Sequence, residues 1–259
     1  MKSLNNNKLF IFFHLRKSGG TTINGHFKKH LLWDEEFIHL ANWGEKYRKE
    51  NNCIDFEKRD NSEKEKIKVL SGHKTYYGIH KHFINKTPYY IAIMRSPADQ
   101  IVSIYNFEKS KNIIKKNFED WYNNTYKVKN RNFICNFYAK KLMPINLNFS
   151  DNEKFELAKK LFDKCDFILL THKLDEDLPK LFNLMNLPTS FEKKRVTGYK
   201  GNALEGLNHT KKIEFIKQHY KLNNGMKKQI NQENYYDLKL FEYASELNKK
   251  KPLEGELSL

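Results

Sequence analysis

The chain has 259 residues, a formal net charge of +16 and 30% charged residues. This length suits one domain, so we predict a single domain over residues 1–259, with a charged insertion at about 44–68 and a helical C-terminal part at about 210–249. The three cysteines form no Cys-x-x-Cys pair and no apolar run is long enough to span a bilayer, which argues against a zinc site, a disulfide framework and a transmembrane segment. We therefore expect a reduced, cytoplasmic protein. The charge favours anionic partners, although solvated surface lysine is an equally good explanation.

The sequence predicts strands at Leu9–Phe13, Lys68–Leu70, Tyr89–Met94 and Asp166–Thr171, and the first and last of these read as strands buried on both faces of a sheet. Apolar spacing and capping residues predict helices from a cap at Thr21 or Thr22, from Pro97 to about Phe107, through 111–143, over Asp151–Lys164 and Leu174–Met185, and twice within 210–249. Strands that alternate with helices predict an α/β fold, P-loop-like and three-layered, with a central parallel sheet flanked by helices.

The segment His14–Thr22 follows the first strand and precedes a helix, which is the arrangement of a phosphate-binding loop. Free N–H groups and the dipole at a helix N-terminus favour an anion there, and glycines let the backbone approach it. The order is not that of a Walker A loop, because Lys17 precedes both glycines. An ordinary strand–helix turn is the alternative. The candidate anion-binding residues are Arg16, Lys17, Ser18, Gly19, Gly20, Thr21 and Thr22.

A second candidate anion site follows the strand Tyr89–Met94. Arg95 stands at the end of that strand and Ser103 lies eight residues further on, inside the next predicted helix. A strand-end arginine can clamp a phosphate with two parallel hydrogen bonds. Alternatively, Arg95 pairs with a carboxylate and Ser103 faces solvent.

Together, the two segments resemble the donor-binding motifs of sulfotransferases that use 3′-phosphoadenosine 5′-phosphosulfate (PAPS). Phe12–Ile23 resembles the motif that grips the 5′-phosphosulfate, and Ile93–Tyr105 resembles the motif whose Arg and Ser grip the 3′-phosphate. The resemblance implies PAPS as co-substrate, no metal, and Lys17 as the residue that stabilises the leaving phosphate.

A third segment narrows the resemblance. Ser71–Phe83 is similar to the Gly-His segment of carbohydrate sulfotransferases, especially the heparan and uronyl 2-O type, which implies that His73 is the catalytic base. His80 and His82 are rivals for that role. Asp166–Leu178 and Asn234–Ala244 resemble later parts of that branch, so the resemblance spans residues 9–244. It implies a glycan or polysaccharide acceptor, and the candidates to line a groove for an anionic one are Lys74, Lys81 and Arg131.

The chain departs from the family pattern at several positions. Arg16 stands where the family usually has Pro, so we expect a looser start of the loop. Ser96 replaces the usual Asp, and Gln100 replaces a common Arg, which weakens the predicted hold on the 3′-phosphate. Arg195–Gly201 loosely resembles the late loop that closes over the donor, which would place Lys200 and Gly201 there; a plain surface loop is as good an interpretation.

Two other functions compete with sulfuryl transfer. A P-loop kinase or nucleotidase would need Mg²⁺ and usually a strand-end Asp, whereas Asp166 begins its strand. A nucleic-acid-binding module would suit the charge, but no recognisable nucleic-acid motif is present, so we expect no such partner. The acceptor sugar and the oligomeric state do not follow from the sequence.

Overall fold

The centre of the protein is a parallel sheet of five strands in the order β2-β3-β1-β4-β5. The computed structural model describes residues 7–40, 58–143, 148–192 and 219–250. Within them the strands are β1 Lys8–Phe13, β2 Phe37–His39, β3 Val69–Gly72, β4 Thr87–Met94 and β5 Phe167–Leu170. β1 is central and its apolar side chains are buried, as the continuous apolar run predicted.

Helices flank this sheet, which confirms the predicted α/β fold class. In chain order they are α1 Gly20–His30, α2 Asn61–Lys66, α3 Pro97–Ser110, α4 Phe118–Trp121, α5 Lys127–Asn130, α6 Phe133–Leu142, α7 Asp151–Asp163, α8 Leu174–Leu184, α9 Asn224–Glu233 and α10 Tyr235–Lys250. A π-helical turn, Tyr122–Tyr126, joins α4 to α5, and 3₁₀ turns cover Ile79–His82 and Thr171–Lys173. No helix among these is long and apolar enough to cross a membrane.

Two local predictions were wrong, and one strand was missed. The stretch 111–143 is not one helix, because Asn132 adopts a left-handed conformation (φ 49°) that breaks it before α6. α1 is capped by Gly19 and not by Thr21 or Thr22. β2 was not predicted, since a three-residue strand shows too little periodicity to be recognised.

Several predicted features lie outside the described residues. They are most of the insertion at 44–68, the start of the helical part at 210–218, and Arg195, Lys200 and Gly201.

The strand register explains how distant segments meet. β1 lies between β3 and β4, and Phe13 is paired with Gly72 on one side and with Ala92 on the other. The residues that follow these partners therefore lie at the same carboxyl edge of the sheet. The chain runs from β1 to the β2-β3 side and then crosses to β4, and such a reversal leaves a crevice beside the central strand where ligands bind in parallel α/β sheets.

Candidate active site

The loop after β1 is shaped for close approach of an anion. Lys17 and Gly19 adopt left-handed conformations, with φ of 62° and 89°. Gly19 is the N-cap of α1 and supplies no side-chain hydrogen bond to the first turn of that helix. The first N–H groups of α1 are therefore not occupied by a capping side chain, and they lie at the positive end of the helix dipole.

Neighbouring elements hold this loop by its carbonyl oxygens. Gln100 Nε2 donates a hydrogen bond to the carbonyl oxygen of Arg16 at 2.9 Å, and Arg95 Nη1 donates one to that of Lys17 at 2.8 Å. The single hydroxyl proton of Thr171 is shared between the carbonyl oxygens of Met94 at 3.0 Å and Ser18 at 3.3 Å, and so links the loop to the end of β4. These bonds fix the loop and engage the oxygens that would otherwise repel an anion. Gln100, which we expected to weaken the 3′-phosphate grip, and Thr171 therefore support the loop, a function that their positions in the sequence do not indicate.

Ser18 lies inside the loop and is fully buried. Its hydroxyl oxygen has no hydrogen-bond partner among the described residues. A buried hydroxyl without a partner is costly, so an oxygen-rich ligand in the loop would satisfy it. The phosphosulfate group that the family resemblance implies is such a ligand.

The two basic side chains of the loop both contact α3. Arg16 forms an ion pair with Glu108 at 2.6 Å, and the Lys17 ammonium lies 4.1 Å from the ring centroid of Phe107. We expected Arg16 to loosen the start of the loop. Instead, its ion pair and the bond from Gln100 to its carbonyl supply two restraints where the family usually has the fixed φ of proline.

His73 meets the loop at the end of β3. Its Nδ1 lies 2.7 Å from the carbonyl oxygen of His14. A carbonyl only accepts hydrogen bonds, so Nδ1 carries the proton and Nε2 keeps its lone pair. Gly72, which precedes it, lies directly against the backbone after β2, because a Cβ there would lie 2.0 Å from the carbonyl oxygen of Leu40.

The surroundings of His73 keep it neutral. Burial lowers its pKa below the ordinary value, and the positive charges of Lys141 and Arg16 lower it further, while the bond to the His14 carbonyl opposes them. At neutral pH the imidazole is therefore unprotonated at Nε2 and is able to accept a proton.

Lys141 is a site residue that sequence reasoning missed. Its side chain comes from the last turn of α6, is buried, and donates a hydrogen bond from Nζ to the carbonyl oxygen of His73. Burial lowers its pKa to about 8. The chain has 47 lysines and arginines, and nothing in the sequence distinguishes Lys141 from the others as a buried residue beside His73.

The rival histidines have other partners. His80 Nδ1 lies 2.6 Å from the hydroxyl of Tyr90, and His82 Nε2 lies 2.9 Å from the hydroxyl of Tyr76. Both bonds hold the segment after His73 in place. The geometry therefore favours His73 over the two rivals as the residue beside the loop.

The remaining predicted residues are more dispersed. Ser103 is half-buried on α3, and no hydrogen bond among the described residues joins it to Arg95. Lys74 and Lys81 are exposed, and Arg131 donates to the carbonyl oxygen of Glu233. Thr21 is exposed and Thr22 is buried in the first turn of α1. No cluster of metal-ligating side chains occurs in the part of the chain that the structure describes.

A parallel α/β sheet with a glycine-containing strand–loop–helix at its carboxyl edge, and a histidine beside that loop, defines a class of α/β proteins in which this edge suits an anionic ligand. Comparison with known families identifies the member of that class. Residues 4–244 match the sulfotransferase family, and the chain belongs to it. That family transfers sulfuryl groups and generally uses PAPS as the donor.

One solved structure is similar over most of its length. It is a sulfotransferase from Alicyclobacillus acidocaldarius, with 9% identity and a TM-score of 0.47, over 93% of this chain and 96% of that one. No curated protein matches this chain.

Proposed function

We propose that this protein transfers the sulfuryl group of PAPS to a hydroxyl of a carbohydrate acceptor, with His73 as the general base. One observation carries the proposal: the hydrogen bond from His73 Nδ1 to the His14 carbonyl leaves the Nε2 lone pair free beside the anion-binding loop. A base held in one tautomer next to the donor is what proton removal from an acceptor hydroxyl requires.

The donor is positioned by the loop. The free N–H groups at the start of α1 and the Ser18 hydroxyl bind the 5′-phosphosulfate, and Arg95 with Ser103 binds the 3′-phosphate. Arg95 uses Nη1 for the Lys17 carbonyl, and the rest of its planar fork serves the phosphate. Lys17 leaves the face of Phe107, a contact worth only about 1 kcal/mol, for the stronger charge of the donor.

Chemistry follows in one in-line step. The acceptor oxygen attacks sulfur as His73 Nε2 takes its proton, and the bond from sulfur to the phosphate oxygen breaks. The electron pair stays on that phosphate oxygen, where Lys17 and the α1 N–H groups stabilise it. The products are a sulfate ester and 3′-phosphoadenosine 5′-phosphate (PAP).

The proposed acceptor is the one used by the branch of sulfotransferases that the Ser71–Phe83 segment resembles. We propose a uronic-acid-containing polysaccharide, sulfated as by the heparan and uronyl 2-O type. The exposed Lys74 and Lys81 flank the base segment and suit an anionic acceptor.

Calorimetry with PAP tests the donor site. Wild-type protein should bind PAP, and Lys17→Ala and Arg95→Ala should each weaken binding by roughly tenfold or more, since each removes a charge-assisted contact. Lys140→Ala, an exposed lysine of α6, is the matched control and should bind as wild type. Absence of PAP binding by the wild type, or Mg²⁺-dependent binding of ATP in its place, would favour a kinase and overturn the proposal.

A transfer assay tests the base. With PAPS and a panel of unsulfated uronic-acid and neutral polysaccharides, the wild type should label the uronic-acid acceptors. His73→Ala should lower kcat by about 10²–10⁴-fold with PAP binding retained, as expected for loss of a general base. Near-normal turnover by His73→Ala, with His82→Ala equally active, would contradict the assignment.

A further inference from the structure

A second histidine, His14, lies between the loop and the base. Its ring stacks on that of His73, with centroids 4.5 Å apart and an angle of 26° between the planes. A Cβ on Gly20 would lie 1.9 Å from His14 Nε2, so that nitrogen occupies the space over the first residue of α1. Because Gly20 has no side chain, there is room for the His14 imidazole at the N-terminal end of α1.

A buried amide determines which nitrogen of His14 carries the proton. Ser71 is fully buried. Among the described residues its hydroxyl donates a hydrogen bond to Asn24 Oδ1, at 2.6 Å. Because the hydroxyl donates to Oδ1, the Asn24 amide group turns its two N–H bonds the other way. They face His14 Nδ1 at 3.4 Å and His39 Nε2 at 3.2 Å.

Both imidazoles that face this amide are therefore acceptors on that side. Burial is the main cause of a pKa of His14 well below its ordinary value, and the positive charge of Lys141 acts in the same direction. Burial likewise lowers the pKa of His39 to about 4. A neutral His14 whose Nδ1 accepts a hydrogen bond must carry its proton on Nε2.

The stacked pair thus has opposite tautomers. His73 presents a lone pair at Nε2, while His14 presents an N–H bond at Nε2. His14 is only half-buried, and no hydrogen bond to Nε2 exists among the described residues. The N–H bond is fixed in direction, carries no charge and lies beside the start of α1.

We propose that His14 is a sulfuryl-binding residue, which donates a hydrogen bond from Nε2 to an oxygen of the group in transfer, and that Asn24 and Ser71 are the positioning residues that set its tautomer. The inference rests on the proposed function for the identity of the ligand. The His14 proton is not transferred; the acceptor proton goes to His73, and sulfur exchanges its bond to the phosphate oxygen for one to the acceptor oxygen. A neutral donor stabilises the sulfuryl oxygens without raising the charge beside the base.

Long-range ¹H–¹⁵N NMR of the imidazoles tests the tautomers in the full-length protein. Wild type should show His14 protonated at Nε2 and His73 at Nδ1. Asn24→Asp replaces the N–H donor with a carboxylate that only accepts, so His14 should gain a proton at Nδ1. Asn183→Asp, an exposed residue of α8, is the matched control. A wild-type His14 protonated at Nδ1, or an unchanged His14 in Asn24→Asp, would overturn the inference.

Calorimetry with two nucleotides tests the contact. His14→Phe retains a flat ring for stacking but removes the N–H bond. PAPS carries the sulfuryl group and PAP does not, so the variant should bind PAPS roughly tenfold more weakly and PAP within about twofold of wild type. His30→Phe, at the far end of α1, should leave both affinities unchanged.

The outcomes separate the two proposals. If the wild type binds neither nucleotide, the proposed function fails, and the role of His14 fails with it. If the wild type binds both and His14→Phe weakens them equally or not at all, the proposed function stands and the inference alone is wrong.

Discussion

At the scale of single residues, the site depends on side chains whose charge is set by burial. Lys141 is the clearest case, because its ammonium is buried, and no carboxylate pairs with it among the described residues. A buried ammonium is costly to the folded protein. In this position the Lys141 ammonium donates a hydrogen bond to the His73 carbonyl and places a positive charge beside the His73 imidazole.

Replacement of Lys141 should therefore change the titration of His73. A positive charge disfavours the imidazolium, so Lys141→Met should raise the pKa of His73 toward the ordinary value. The proposed base accepts a proton only when neutral, so the acidic limb of the pH profile of kcat/KM should move to higher pH. NMR titration of the His73 ring measures the shift directly.

Lys140→Met is the control for this change, since Lys140 is the exposed neighbour on the same helix. It should leave the titration of His73 where it is in the wild type. A lower pKa of His73 in Lys141→Met would show that the lysine stabilises the imidazolium, contrary to the geometry.

At the scale of elements, the end of β3 delivers His73, and two glycines shape the chain on either side of it. β3 ends at Gly72, whose φ of 142° and contact with the Leu40 carbonyl exclude any side chain. Gly78 also has a positive φ, 95°, but a Cβ there would meet nothing within 4 Å. A side chain at Gly78 would bring only the cost of the backbone conformation, whereas one at Gly72 would add the cost of a clash.

Gly78→Ala should lower the free energy of unfolding by about 1 kcal/mol, the cost of a left-handed alanine. Gly72→Ala should cost about 3 kcal/mol, because the clash with backbone displaces the end of β3 or that of β2. Urea denaturation measures both. Equal losses in the two variants would show that the close contact at Gly72 relaxes without cost.

At the scale of the whole molecule, the C-terminal helix α10 ties distant elements together. Asp237 of α10 is fully buried and accepts hydrogen bonds from the backbone N–H groups of Ile134 and Cys135, at 2.9 and 2.7 Å. Asn248 donates to the Ile168 carbonyl of β5 at 2.7 Å. The helix thereby holds both α6, which carries Lys141, and the edge of the sheet.

Asp237 should give the folding free energy a specific dependence on pH. Burial raises its pKa from 3.8 to about 6, although the two N–H bonds oppose the shift. Between these values the folded state binds more protons than the unfolded state, so stability falls as pH rises from about 4 to 6. The contribution of this group is on the order of 3 kcal/mol.

Asp237→Asn removes the titrating group and keeps the shape of the side chain. The variant should lack this part of the pH dependence. The urea midpoint at pH 4.5 should therefore exceed that at pH 6.5 by less in the variant than in the wild type. An identical pH dependence in both proteins would show that the pKa of Asp237 is not raised in the folded protein.

The sequence alone determined the α/β class, four of the five strands, and the segments that carry the candidate site. Buried strands leave continuous apolar runs, and a glycine-containing loop after a strand is a local pattern, so both are visible along the chain. β2 was too short to be seen, and Asn132 broke a helix whose periodicity looked continuous.

Only the tertiary structure decided how these segments act on one another. The pairing of β1 with β3 places the His14 carbonyl against His73 and so selects its tautomer. The packing of α6 brings Lys141 to the same place, and Asn24 reaches His14 from α1. These contacts join residues up to 68 positions apart. Hydrogen bonds, burial and charge act over a few ångströms of space, so no pattern along the chain reports them.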